Sequence, residues 1–167
     1  MKIALTLDGL ISSENLSKYA LDDDLFCLNQ VATEDGWYSS TRWFLSGNDV
    51  FFITSRSNQV MTDRWLDEWN LMYNKIIYDI PHGYHYNTAI ALNCDIFITP
   101  CSEELPKHEK PEILSFFYSR EPSSAKVSSA VNKISHLNDI DMAMEQWGTH
   151  QRKSNVRIVG QSRTLPT

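Results

Sequence analysis

Short, continuous apolar runs constrain this chain more than any other feature. "KIALTL" (2–7), "DVFFI" (49–53), "NKIIYD" (74–79), "DIFIT" (95–99) and "EILSFFYS" (112–119) are separated by longer polar or helix-patterned segments. A strand that alternates apolar and polar residues has one wet face. A strand that is apolar throughout is buried on both faces, which requires a parallel sheet covered by helices on either side. "NKISHL" (132–137) adds a short sixth candidate.

The intervening segments supply the covering helices. "WYSSTRWFL" (37–45) predicts a helix stopped by Gly47. Within 58–72, Met61, Trp65, Trp69 and Met72 fall at helical spacing, so a Met/Trp stripe is expected to face the core. "YNTAIALNC" (86–94) reads as a short helix, and 138–147 as another, capped by Asn138 and ended by Gly148. Residues 12–36 are polar and mixed, with one or two short helices expected and a turn at Asp35-Gly36. "SREPSSAKVSS" (119–129) reads as a loop. The whole predicts an α/β doubly wound, mostly parallel sheet of five to six strands flanked by helices. Ligands of such sheets sit at the carboxyl ends of the strands. The residues to inspect are therefore Thr6 and Asp8, Thr54 to Arg56, His82 to His85, and Thr99 to Cys101.

The 167 residues suit one domain with a substantial core, read here as 1–148, followed by a basic tail over 149–167. Net charge is −6, yet the tail carries Arg152, Lys153, Arg157 and Arg163 and no acid. The acidic body disfavours general nucleic-acid binding, because phosphates repel it. The tail is either solvated or a contact for an acidic partner, nucleic acid or the body itself. No apolar run approaches the length of a membrane span. Cys27, Cys94 and Cys101 form no regular framework, and no export signal is evident. Reduced thiols in a cytoplasmic protein are expected.

The order of motifs resembles the haloacid dehalogenase (HAD) superfamily, and within it the small 5′(3′)-deoxyribonucleotidase group. "LTLDGLI", "FFITSR", "RWLDEWNLMYNKIIY" and "IALNCDIFIT" carry the resemblance, with "ILSFFYSREP" and "ISHLNDIDMAMEQW" fitting behind them. It implies a HAD-like Rossmannoid fold with a minimal cap. In that family the first strand ends Asp-x-Asp-Gly: the first Asp attacks phosphorus and the second shuttles a proton. A Thr or Ser after the second strand holds a phosphoryl oxygen. A Lys before strand four steadies charge, and two acids after strand four help to hold Mg²⁺.

Carried over residue by residue, the resemblance gives Asp8 the proton-shuttling place and Thr54 the phosphate hydroxyl, with Ser55 and Arg56 beside it. The nucleophile place is Thr6. The Lys place falls near His85, and the acid pair aligns with Thr99 and Pro100. A threonine hydroxyl is a weak nucleophile without a base, and Mg²⁺ wants carboxylate oxygens. The reading is therefore a catalytically degenerate HAD-like protein that binds or assembles, with enzymatic activity left open. Its expected partner is a protein, reached through the tail, and Thr54, Ser55 and Arg56 remain candidates for binding phosphate or a nucleotide. No cofactor is expected. The alternative is an active Mg²⁺-dependent phosphatase or 5′-nucleotidase with an atypical site. Its catalytic set would be Asp8, Thr6 and His85, and its metal ligands Asp8 and Glu103, with Glu104 close by.

Other chemistry is less well marked. His82-x-x-His85 with Cys94 and Cys101 suggests Zn²⁺, but lacks a paired Cys-x-x-Cys and is read as structural. Thr54 and Ser55 have a second reading as caps of the helix starting near Asn58. There is no Gly-x-Ser-x-Gly elbow, phosphate-binding Gly-Lys-Thr loop or Gly-x-Gly-x-x-Gly. Tyr84, Tyr86 and Phe116 to Tyr118 are not interleaved with Lys or Arg, which disfavours a base-stacking platform.

Overall fold

The structure, a computed structural model, describes residues 1–13, 30–107, 112–120 and 126–146. The basic tail, "LDDD" at 21–24, Cys27 and Gly148 lie outside the described residues, as does 14–29 of the 12–36 segment in which one or two short helices are expected. The chain divides into two compact units, Met1–Leu137 and Asn138–Thr167. The second contains a helix over 139–146.

The first unit is built on a six-stranded sheet in the order β3-β2-β1-β4-β5-β6. The strands are β1 (Lys2–Thr6), β2 (Asp49–Ile53), β3 (Lys75–Ile77), β4 (Ile96–Thr99), β5 (Leu114–Tyr118) and β6 (Asn132–Ile134). Every pairing is parallel, so the sheet is not merely mostly parallel. The continuous apolar runs explain why. Ile3 to Leu5, Phe52, Ile53 and Ile96 to Ile98 have no exposed surface, so both faces are covered. Strand order reverses between β1 and β4, whose Leu5 and Ile98 are register partners. That crevice is where open α/β sheets place ligands.

Helix α1 (Glu34–Leu45) begins three residues earlier than its apolar pattern suggests. The Thr33 hydroxyl accepts from Gly36 N and donates to the Leu10 carbonyl, at 3.0 and 2.7 Å. Asp35-Gly36 is therefore the first helical turn, not a loop turn. Glycine is needed there for room: a Cβ would lie 2.6 Å from the Leu10 carbonyl oxygen. The helix ends before Gly47, which has φ +89°.

Helix α2 (Gln59–Glu68) is capped by Asn58, whose side chain accepts from Met61 N at 3.2 Å. It buries Thr62, Trp65 and Leu66. The expected stripe is thus only half correct. Met61 is half-buried and Trp65 fully buried, but the helix ends at Glu68, so Trp69 and Met72 lie beyond it and are exposed. Asn70, at φ +53°, turns the chain there. Helix α3 (His85–Ala91) buries His85, Tyr86 and Ala89. Cys94 joins Tyr86, Ala89 and Phe97 in the core, where burial pushes its thiol up to about 11. It is remote in role from any thiolate chemistry.

Candidate functional site

The site is assembled from four chain segments, those that follow β1, β2, β3 and β4. After Thr6 the backbone makes one wide turn over Leu7–Ile11, closed by Ser12 N donating to the Leu7 carbonyl at 3.0 Å. Gly9 sits at φ +80°, and its N–H donates to Ser12 Oγ at 3.1 Å. The turn keeps Asp8 buried, 2 % exposed, beside the end of its own strand.

β2 supplies the partner. The Thr54 hydroxyl donates to Asp8 Oδ2 at 2.8 Å and accepts from Arg56 N at 3.1 Å. Thr54 therefore does not cap α2; Asn58 does. Arg56 is buried, and its Nε donates to Thr62 Oγ1 on α2 at 3.4 Å.

The next residue begins a second arm. Ser55 Oγ lies 3.1 Å from Nε2 of His85, the first residue of α3. Glu104, in the single turn Ser102–Glu104 after β4, is 1 % exposed. A buried carboxylate is costly unless its oxygens are met by donors. Here Gly83 N and His85 N both donate to it, the latter at 2.9 Å, and His82 Nδ1 lies 3.0 Å away. The other nitrogen of His82, Nε2, is 2.5 Å from Glu103 Oε2. Gly83, at φ +92°, lets the chain fold its amides toward Glu104.

His85 has its pKa lowered, first by burial and then by His82, against the raising influence of Glu104 and the Ile80 backbone. A neutral imidazole against a serine hydroxyl has the geometry of a base and nucleophile. Among the described residues, however, no carboxylate is hydrogen-bonded to the other ring nitrogen of His85. Glu104 Oε2 is 3.9 Å from His85 Nδ1, beyond hydrogen-bond reach, and its oxygens are already engaged by backbone amides.

At the places where the resemblance would put acids, the side chains are neutral. Thr6 is buried, and its hydroxyl has no hydrogen-bond partner among the described residues. Thr99 is buried, and its hydroxyl accepts from Cys101 N at 3.2 Å. The structure thus brings Asp8 to Thr54, and Ser55 to His85. It also brings His82 to Glu103 and Glu104. Of the His82, His85, Cys94 and Cys101 set, only His82 and Cys101 come together, with Glu103 as third member. Sequence reasoning passed over Ser12, whose signal is a hydroxyl three residues after Gly9, and read Asp35 as part of a turn. The Asp35 carboxylate accepts from Tyr118 OH and Leu137 N, each at 3.0 Å, and so ties α1 to β5 and to the segment after β6.

No family model and no curated protein matches the chain. Solved structures do. The D,D-heptose 1.7-bisphosphate phosphatase from B. bronchiseptica, complexed with magnesium and phosphate, is 11% identical with a TM-score of 0.61, covering 87% of this chain and 99% of that one. An uncharacterized protein from Listeria monocytogenes serotype 4b is 9% identical with a TM-score of 0.65, covering 89% and 99%. At such identities the likeness is one of fold: a Rossmann-like, parallel α/β sheet flanked by helices.

Proposed function

We propose that this chain is a HAD-like domain without aspartyl-phosphate chemistry, acting as a binding or assembly protein. The observation that carries this is the buried Thr6 hydroxyl at the end of β1. It is a neutral group in the place from which a carboxylate would attack phosphorus, and no base among the described residues is hydrogen-bonded to it.

The neighbouring groups support the same reading. Thr54 Oγ1 is engaged on both sides, by Asp8 and by Arg56 N, and Gly9 N is taken by Ser12. A phosphoryl group entering here would have to displace these bonds. Thr99 contributes a hydroxyl where a Mg²⁺ site wants a carboxylate oxygen. The basic tail, with Arg152, Lys153, Arg157 and Arg163, is the proposed contact for an acidic protein partner.

A second reading, a Mg²⁺-dependent phosphatase with an atypical site, is favoured by one observation. Glu104 places a buried carboxylate in the turn after β4, beside His85. Thermal unfolding separates the two readings. Deoxynucleoside monophosphates are expected to raise Tm by the same small amount, or not at all, with and without Mg²⁺. A stabilisation that appears only with Mg²⁺ would contradict the proposal and favour the phosphatase.

A further inference from the structure

The His82 imidazole has a carboxylate at each nitrogen. Nδ1 faces Glu104 Oε1 at 3.0 Å, and Nε2 faces Glu103 Oε2 at 2.5 Å. A neutral imidazole has one N–H donor and one lone pair. Two carboxylates around it therefore leave one pair of acceptors facing each other, unless a cation lies between them. A second proton is one such cation; a metal ion is the other.

The surroundings choose between them. Cys101 is half-buried beside the pair, and one ligand atom each from His82, Cys101 and Glu103 lie within 4.8 Å of one another. Sulfur adds nothing to a protonated His–Glu pair, but imidazole, thiolate and carboxylate together are the donor set of Zn²⁺. Thiolate disfavours Mg²⁺ and Ca²⁺, which take oxygen ligands. We infer that His82 Nε2, Cys101 Sγ and a Glu103 carboxylate oxygen form a Zn²⁺ site with one position open to water.

Glu104 completes it from behind. Its buried carboxylate lies 3.0 Å from His82 Nδ1, so that a metal ion taken at Nε2 would leave the ring proton on Nδ1, facing Glu104. Glu104 is itself held by Gly83 N and His85 N, so the orienting group is rigid. Exposed His82 and Glu103 need to open by only about 1 Å to reach tetrahedral Zn–N and Zn–O distances. On binding, the ion displaces the Cys101 thiol proton to solvent, with no change in oxidation state. It would pin the Pro81-His82-Gly83 turn before α3 to the turn after β4. This site does not depend on the proposed function, because none of its three ligands belongs to the Asp8–Thr54 network.

The test is a Co²⁺ titration of the full chain, stripped of metal by chelator, followed by displacement with Zn²⁺. The expected result is one equivalent bound, with a thiolate-to-cobalt charge-transfer band and tetrahedral visible bands that vanish as Zn²⁺ is added. Cys101→Ser is expected to lose the charge-transfer band, whereas Cys94→Ser and Cys27→Ser keep it. His82→Ala and Glu103→Gln should each weaken binding at least tenfold. Glu104→Gln should weaken it about 10–100-fold. Should Glu104→Gln fail to fold, the exposed His82 and Glu103 variants carry the decision. No thiolate band in the wild-type chain, or an unchanged titration in Cys101→Ser, overturns the assignment.

Discussion

The Thr54 hydroxyl donates to Asp8 Oδ2 across 2.8 Å, joining the ends of two strands that are neighbours in the sheet and 46 residues apart in the chain. Both residues are buried, at 0 % and 2 % exposure. A buried carboxylate stripped of a donor keeps its full desolvation cost. Thr54→Val preserves shape and removes the donor, so it should destabilise the chain by about 1–3 kcal/mol. Thr54→Ser keeps the hydroxyl and should cost less. Urea unfolding followed by fluorescence measures both.

Gly36 is held by space rather than by its dihedral angle. A Cβ would meet Thr33 Oγ1 at 2.5 Å and the Leu10 carbonyl at 2.6 Å, the two atoms that form the cap of α1. Gly36→Ala would improve helix propensity in isolation. Here it should instead destabilise by about 1–3 kcal/mol, because backbone has to move. A rise in Tm for this variant would show that the turn over Leu7–Ile11 yields easily.

Asp35 accepts from Tyr118 OH and from Leu137 N. Asp35→Ala leaves a buried phenol and a backbone N–H without that acceptor. The expected loss is about 1–3 kcal/mol. Asp35→Asn retains one acceptor oxygen and should recover part of it. The same urea series reads the difference.

Burial lowers the pKa of His85, with Glu104 opposing the shift and His82 reinforcing it. Ser55 faces its Nε2. A base with a depressed folded pKa takes up its proton more readily when unfolded. Its contribution to stability is therefore whole above the ordinary value of about 6.5 and is lost as pH falls toward the folded value. Stability measured with chelator present should fall through this window in the wild type. His85→Gln, with nothing to titrate there, should show a shallower fall.

The sheet was legible because its signal is local. Apolar runs such as Val50 to Ile53 are long enough to identify a strand and too continuous for a half-wet one. The first turn of α1 was not legible. Asp35-Gly36 carries strong turn chemistry, and only the Leu10 carbonyl, folded against it by the turn after β1, explains a glycine inside a helix. Trp69 and Met72 kept helical spacing past the end of α2, which no periodicity reveals without Asn70 turning left-handed. At the site, the position of Thr6 and Thr99 at the ends of β1 and β4 could be read from the apolar runs. The engagement of Glu104 could not, because its donors are backbone amides of Gly83 and His85, and every residue but proline has one.

The most direct measurement is turnover of para-nitrophenyl phosphate and deoxynucleoside monophosphates by the full chain, with and without Mg²⁺, beside the Asp8→Asn variant. On the proposed reading, which puts Thr6 in the place of the attacking carboxylate and Thr99 in that of a metal-binding acid, the wild type should release phosphate no faster than the variant in either condition. Mg²⁺-dependent release that disappears in Asp8→Asn would contradict the account and make the chain a hydrolase.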